Sequence, residues 1–143
     1  MRKRSRARAW ALQVLYAWEM REPAVPILQV LAAFLADRHI AHASRSYLAL
    51  VLETISENLP VIDEALEMAL SNWRLNRLAS IDRNVLRIAV AEMLFIHEVP
   101  APVSIQEAIV LAEKFGTEES PRFVNGVLDG VMRRASAARG GVS

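Results

Sequence analysis

Apolar side chains recur at intervals of three and four along most of the chain, which is the spacing of helices that bury one face. No run alternates apolar and polar residues for long enough to predict a β-strand. The chain holds only 5 glycines and 6 prolines, and these mark most of the points where the periodic segments stop. The pattern therefore predicts an all-α protein whose helices are joined by short connections.

The N-terminal half is predicted to contain four helices. Prolines and polar links separate its periodic segments, and Pro60 suits the first turn of the fourth helix. The predicted ranges are 4–20, 27–36, 44–57 and 60–73. Core positions share a helical face, and the tryptophans are interpreted as packing residues: Trp10, Ala11, Val14, Leu15, Trp18, Ile62, Leu66, Met68, Leu70 and Trp73.

Three further helices are predicted after a connection over 74–79. Ser80 is the expected N-cap of a helix that reaches about His97. Ser120, which precedes a proline, is expected to begin a last helix that ends near Ala135. On the first of these helices one face is apolar and predicts further core positions: Val85, Leu86, Ala89, Met93 and Ile96.

The helix between these two is predicted from its flanking residues. Pro100 and Pro102 should form an extended corner before it. Ser104 and Glu107 stand at the spacing of a capping box, in which each side chain accepts a hydrogen bond from the other's backbone N–H. Gly116 suits a left-handed C-cap at the other end. Core positions on one face are Ile105, Ala108, Ile109, Ala112 and Phe115.

Basic residues are concentrated at the start of the chain. The remaining chain carries 12 of the 17 basic residues and all 16 acidic residues. The other five basic residues lie within the first eight positions: Arg2, Lys3, Arg4, Arg6 and Arg8. A basic arm on a mildly acidic body favours a polyanion as the ligand at this end. A solvated, disordered N-terminus is the alternative that composition leaves open.

The sequence offers little chemistry for catalysis. Without cysteine it has neither disulfides nor thiolate sites, which fits a protein of the reducing cytoplasm. His39 and His42 lack a third ligand or an HExxH pattern, and no P-loop, GxGxxG or GxSxG motif occurs. No signal peptide or long apolar segment is evident. We therefore expect a soluble protein without membrane association, enzymatic activity, metal or cofactor.

Distinctive motifs occur in order at both ends of the chain. The first is Arg4-x-Arg6-Ala7-Arg8, followed by residues 11–18. Toward the other end come Ile81-Asp82-Arg83-Asn84, Ile105-Gln106-Glu107-Ala108, Lys114-Phe115-Gly116-Thr117 and the specific string Phe123-Val124-Asn125-Gly126-Val127-Leu128-Asp129. With these motifs the chain resembles the NusB family from end to end, although residues 21–72 match in helical pattern only.

This resemblance implies one domain over residues 1–143, with about seven helices in two packed three-helix subdomains. Its parts would be a basic arm over 1–8, helical halves over 9–73 and 80–135, and a frayed tail over 136–143. NusB proteins bind the boxA element of single-stranded RNA with ribosomal protein S10, also called NusE, in RNA polymerase antitermination complexes on ribosomal RNA operons. The resemblance thus implies a cytoplasmic transcription antitermination factor without catalytic activity.

Site residues are expected at positions that match the family's motifs. At the arginine-rich motif, Ser5 and Ala9 depart from the family's pattern. We expect Arg2 and Lys3 to compensate for the RNA contacts that these departures change. RNA contacts are expected from basic and aromatic side chains: Arg2, Lys3, Arg4, Arg6, Arg8, Tyr16, Arg122 and Phe123. Contacts with the protein partner are expected from three acids: Asp82, Glu118 and Glu119.

Several residues admit a second interpretation from the sequence alone. Phe123 shares a four-residue spacing with Val127 and Val131, which favours a core position, and Tyr16 suits either surface or core. Gly126 interrupts a helix, which either tight packing or close approach of RNA would explain. The acids also suit helix N-termini. For the whole chain, the alternatives are a protein–protein adaptor or homodimer, and an RNA-targeting domain of an rRNA methyltransferase if the chain is incomplete.

Overall fold

The computed structural model describes the backbone of residues 2–72 and 74–140 and the side chains of residues 3–72 and 74–138. The sequence predicts that Trp73 packs in the core and that Arg2 contacts RNA. Trp73 and the Arg2 side chain lie outside these ranges. Within them the chain forms six α-helices and a short 3-10 turn at Leu75–Arg77, with no strand, as predicted. The helices are α1 Arg2–Glu19, α2 Ile27–Ala36, α3 His42–Ala69, α4 Ser80–Phe95, α5 Ala101–Phe115 and α6 Ser120–Gly140.

The third helix joins two segments that the sequence predicts as separate helices. Its backbone leaves helical geometry at Asn58, where φ is −127° and ψ is 20°. Pro60 explains the kink, because proline has no N–H to donate and its ring displaces the carbonyl of the preceding turn. At the kink, the Asn58 side-chain amide donates a hydrogen bond to the Thr54 carbonyl oxygen at 2.9 Å. Counted on either side of the kink, the described residues form seven helical segments.

The helices pack as two groups joined along a shared boundary. In the N-terminal group α1, α2 and α3 contact one another, and in the C-terminal group α4 and α6 both pack on α5 and on each other. The α3 helix also packs on α4 and α6, and α1 packs on α4. This arrangement agrees with the two packed three-helix subdomains expected from the resemblance.

The fourth helix lies at the centre of the molecule because α1, α3, α5 and α6 all pack on it. Every residue from Asn84 to Glu92 is buried, so this helix has no solvent-facing stripe over that stretch. Three of these buried residues are polar: Asn84, Arg87 and Glu92. Buried polar groups require hydrogen-bond partners, and theirs come largely from the helices that surround α4.

Most predicted core residues are confirmed. The buried ones lie on α1, α3 and α4 or at the ends of these helices, and include Ala11, Val14, Leu15, Ile62, Leu66, Leu70, Val85, Leu86, Ala89 and Ile96. The prediction of Met68 as a core residue is wrong, since 56% of its surface is exposed. Phe115 is also wrong as a core residue, because it is the last residue of α5 and is 43% exposed.

Two predicted caps are wrong because neither serine occupies the N-cap position of its helix. Ala79 occupies the N-cap position of α4, and the Ser80 hydroxyl instead donates to Glu19 Oε1 at 2.7 Å. The helix α5 begins at Ala101, so Ser104 lies inside it and forms no capping box with Glu107. Pro100 and Pro102 open this helix rather than a corner, because the first turn needs no N–H donors.

The turn between α5 and α6 is closed by a contact that only glycine allows. Gly116 has φ −93° and ψ −163°, so the predicted left-handed C-cap is wrong. A Cβ at this position would lie 2.5 Å from Ser120 Oγ and 2.9 Å from the Ala112 carbonyl oxygen. Ser120 is the first residue of α6, and its hydroxyl accepts a hydrogen bond from the Thr117 N–H at 2.9 Å. The α6 helix extends past its predicted end at residue 135, to Gly140.

None of the helices in the described ranges is both long and apolar enough to span a bilayer.

Candidate nucleic-acid interface

The basic residues at the start of the chain form the first two turns of α1, which fixes where their side chains project. Lys3 and Arg6 are exposed. Arg4 is half-buried, with its guanidinium 3.7 Å from the Glu98 carboxylate and 4.9 Å from the centre of the Tyr47 ring. These three side chains carry the accessible positive charge at the start of α1, and we refer to them together as the cationic edge.

Arg8 occupies a different environment from the other basic residues of this segment. It is 2% exposed, and its guanidinium donates to Glu92 Oε2 and to Glu107 Oε1, both at 2.7 Å. Glu92 is 1% exposed, so this is an ion pair inside the protein. The sequence assigned Arg8 to RNA contact, but its donors face α4 and α5, and we leave it out of the RNA surface.

Two hydroxyl groups complete the cluster around this ion pair. The Ser5 hydroxyl donates to Glu107, and the Tyr47 hydroxyl donates to Glu92. Burial and the hydrogen bond to the negative Glu92 raise the pKa of Tyr47. Burial acts to lower the pKa of Arg8, but the charge and hydrogen bond of Glu92, with the charges of Tyr47 and Glu107, together outweigh it and raise that pKa. The cluster of Ser5, Arg8, Tyr47, Glu92 and Glu107, here the Arg8 cluster, anchors the basic start of α1.

Two adjoining surface cavities follow α1 away from the cationic edge. The first, here the basic cavity, has a volume of about 360 Å³ and is lined in part by Arg6, Ala9 and Lys114. The second, here the aromatic cavity, has a volume of about 230 Å³ and is lined by Ala9, Leu12, Gln13, Tyr16, Ile81 and Phe115. Ala9 borders both, so the two cavities are neighbours along the surface.

Phe115 is a candidate site residue that sequence reasoning missed. It shares the spacing of the core face of α5 and was therefore interpreted as core. The helix ends at this residue, however, and its ring lies at the surface beside the aromatic cavity. The following Gly116 was the available signal, because a side chain in the last turn of a helix lies where the packed interface is ending.

A third cavity brings together residues assigned to RNA and to the protein partner. It has a volume of about 250 Å³, and its lining includes Phe123, Asp82, Glu119 and Arg77. We refer to it as the acidic cavity. Ile81 lines the aromatic cavity and the next residue lines the acidic one, so the two flank the N-terminus of α4.

The remaining predicted site residues are placed differently. Phe123 is half-buried, since it packs against the core and also borders the acidic cavity. It lines a different cavity from Tyr16. Arg122 and Glu118 are exposed and line none of the three cavities. Among the described side-chain atoms, three are buried without a hydrogen-bond partner: Asp82 Oδ1, Glu92 Oε1 and Ser104 Oγ.

A second polar cluster, around Glu19, fixes the other end of α1. Its carboxylate receives two hydrogen bonds at 2.7 Å from Arg83, one at 2.8 Å from Arg87 and one at 2.7 Å from Ser80. Arg87 also forms a two-bond pair with Asp63 of α3. Burial acts to raise the pKa of Glu19, but the hydrogen bonds from Arg83, Ser80 and Asn84 and the charge of Arg83 together outweigh it and lower that pKa to about 2.

Comparison with known proteins gives a consistent result. The sequence profile of the NusB family matches residues 5–133. The transcription antitermination protein NusB of Sorangium cellulosum is 43% identical over 129 residues, which cover 90% of this chain and 91% of that protein. The protein of the same name from Chloroherpeton thalassium is 39% identical over 127 residues, and the match spans 88% of this chain but 59% of that longer relative.

A solved structure shares the fold. The crystal structure of antitermination factors NusB and NusE in complex with dsRNA contains a chain that superposes with a TM-score of 0.83 at 28% sequence identity. The superposition covers 94% of this chain and 98% of that one. The similarity therefore extends over the whole arrangement of helices.

Proposed function

Because the chain belongs to the NusB family, we propose that it is a cytoplasmic transcription antitermination factor that binds boxA-type single-stranded RNA of ribosomal RNA operons together with ribosomal protein S10. The observation that carries the proposal is the cationic edge of α1, which leads through the basic cavity to exposed aromatic residues. Family relatives are named transcription antitermination proteins, and a related structure pairs NusB with NusE and dsRNA.

The cationic edge supplies the charge that an RNA backbone requires. Lys3, Arg4 and Arg6 project from the first turns of one helix, so their positions are fixed before RNA arrives. Cations that neutralise phosphates release counterions and make binding steeply salt-dependent. Tyr16 and Phe123 offer aromatic surface to unstacked bases, as is usual for single-stranded RNA. Arg122, exposed beside Phe123, extends the proposed surface to the start of α6.

The acidic cavity supports a basic protein partner, for which we propose S10. Asp82 and Glu119 both line it, and Glu118 is exposed nearby in sequence. The negative charges of Asp82 and Glu119 would attract Lys and Arg side chains of the partner. Through this partner the chain would join the RNA polymerase antitermination complex.

The RNA role of the cationic edge is tested by replacing its three side chains together. The variant K3A/R4A/R6A and the matched control R21A/R38A/R45A remove the same charge from different surfaces. We expect only the first to bind a fluorescent boxA-like oligonucleotide more weakly, with a salt slope flatter by about 0.7 for each phosphate that is no longer neutralised. Fluorescence anisotropy at several salt concentrations measures both quantities. Equal affinities and slopes for the two variants would contradict the proposal.

A duplex of the same RNA sequence tests the preference for single strands. We expect the duplex to compete poorly with the labelled single strand, because unpaired bases are needed for stacking on exposed rings. Equal competition would instead favour recognition of the backbone alone, and would reject the single-stranded part of the proposal.

The protein partner is tested by co-purification with S10. We expect S10 to be retained by the wild type and retained less by D82N/E119Q, because the variant removes both charges from the acidic cavity. The matched control is E53Q/E57Q, which removes two exposed charges from α3. Light scattering of the free chain addresses the homodimer alternative, since a monomer that binds RNA and S10 would reject it.

A further inference from the structure

We propose that the aromatic cavity is a pocket for one unpaired base of the bound RNA, with Tyr16 and Phe115 stacking on the base and Gln13 contacting its edge. This inference rests on the proposed RNA-binding function and adds to it a defined subsite. Phe115 and Gln13 are the new assignments.

The exposure of the two aromatic side chains is the first observation. Tyr16 is 45% exposed and Phe115 is 43% exposed, and both border the same cavity of about 230 Å³. Large aromatic side chains are mostly buried in folded proteins. Two such rings at the edge of one cavity therefore leave an apolar surface that lacks a partner within the described chain. A flat aromatic base matches that surface, because rings stack with offset or edge-to-face geometry.

The charges around the cavity favour RNA over an acidic protein or a neutral ligand. The basic cavity, which adjoins through Ala9, carries Arg6 and Lys114, and the one acid among its described lining residues, Glu107, is paired with Arg8. Lys114 directly precedes Phe115 in α5, so a cation lies one residue from the proposed stacking ring. None of the described residues that line the aromatic cavity is acidic, whereas Asp82 and Glu119 line the acidic cavity. A phosphodiester chain can thus run past Arg6 and Lys114 while its base enters the aromatic cavity.

Gln13 provides the means to distinguish one base from another. It is exposed and is the only amide side chain among the described residues that line the cavity; Ala9, Leu12 and Ile81 present only apolar side chains. The amide group offers both a donor and an acceptor, which suits hydrogen bonds with the edge of a base. Stacking alone tolerates any base, so selectivity at this position is assigned to Gln13.

The position of Phe115 is fixed before RNA binds. The close approach of Gly116 to Ser120 holds the end of α5 against the start of α6. On the opposite wall, Tyr16 lies on α1, whose last residue, Glu19, accepts two hydrogen bonds from Arg83 of α4. A preformed pocket reduces the conformational entropy cost of binding the base.

The test combines protein variants with RNA in which single nucleotides lack a base. For wild type we expect one abasic position to weaken binding by on the order of ten-fold, as for removal of one stacked base. The variant F115L, which removes the ring but keeps an apolar side chain, should weaken binding of the intact RNA to a similar extent. At the sensitive abasic position, wild type and F115L should bind equally, because neither complex can form the stacking interaction.

Further variants separate the base pocket from the phosphate contacts and from folding. Y16L removes the second ring and should also weaken binding of the intact RNA, and both Y16L and F115L should keep the wild-type salt slope. K114A should flatten that slope, since one fewer phosphate is neutralised. Q13A should reduce the preference among the four bases at the sensitive position while stacking persists. Unchanged thermal unfolding of F115L confirms that only binding has changed.

The outcomes are distinct for the pocket and for the proposed function. If wild type binds the RNA but F115L binds equally well, or no abasic position removes the difference between them, the base pocket is rejected while RNA binding stands. If F115L fails to bind S10 and still binds RNA normally, the cavity belongs to the protein partner and the pocket is likewise rejected. If wild type binds none of the RNAs, the proposed function itself fails.

Discussion

Replacing Arg8 by methionine should destabilise the fold more than any change at the exposed basic residues of α1. Methionine keeps much of the apolar stem but removes both charged hydrogen bonds. Glu92 would then remain 1% exposed with a charge that only the Tyr47 hydroxyl contacts among the described residues. Removing one partner of a buried ion pair costs about 3–5 kcal/mol, a large part of the roughly 5–15 kcal/mol that stabilises a typical domain.

Urea unfolding, followed by far-UV circular dichroism and tryptophan fluorescence, measures this change in the free energy of unfolding. The exposed neighbour provides the control, since R6A should stay within about 0.5 kcal/mol of wild type. The double variant R8M/E92Q should be more stable than R8M, because glutamine carries no unpaired charge and still accepts a hydrogen bond from Tyr47. An R8M protein within about 1 kcal/mol of wild type would refute the reasoning from burial.

Two further predictions concern the ends of helices. The pKa of Glu19 is lowered from 4.5 to about 2, so its carboxylate stabilises the fold above about pH 4.5 and this effect disappears as the pH falls toward 2. In urea unfolding across this range, the advantage of wild type over E19Q should shrink by about 3 kcal/mol, and a constant difference would contradict the low pKa. G116A should destabilise by about 1–3 kcal/mol, because its Cβ would meet Ser120. By contrast, G126A meets nothing within 4 Å and should raise thermal stability, so equal effects of the two would reject the packing argument.

Helical periodicity was sufficient to predict the fold class, the bounds of α2 and most of the core. It was less informative at helix ends, where one residue has several possible partners. Ser80 and Ser104 both stand at spacings that suggest a cap, but Ser80 is the first residue of α4 and Ser104 lies inside α5, so neither is the N-cap. Met68 and Phe115 follow an apolar spacing, but no other helix covers them in the described structure.

The two polar clusters could not be predicted, since their partners are far apart in the sequence. Arg8 meets Glu92 of α4, and Glu19 meets Arg83 of the same helix. Local spacing contains no information on such pairs. A basic residue in a charged run is therefore interpreted as surface, and only the packing of α1 on α4 distinguishes the buried Arg8 from its exposed neighbours.

The kinked helix α3 belongs to both groups of helices. It packs with α1 and α2, and beyond the kink at Asn58 it reaches the other group, where Asp63 pairs with Arg87 of α4 and Ala69 lies beside Gly130 of α6. A domain boundary placed near the middle of the sequence would either divide α3 or remove part of the core from one group of helices. Since α3 contributes core residues to both groups, we expect the two groups to unfold together in one transition.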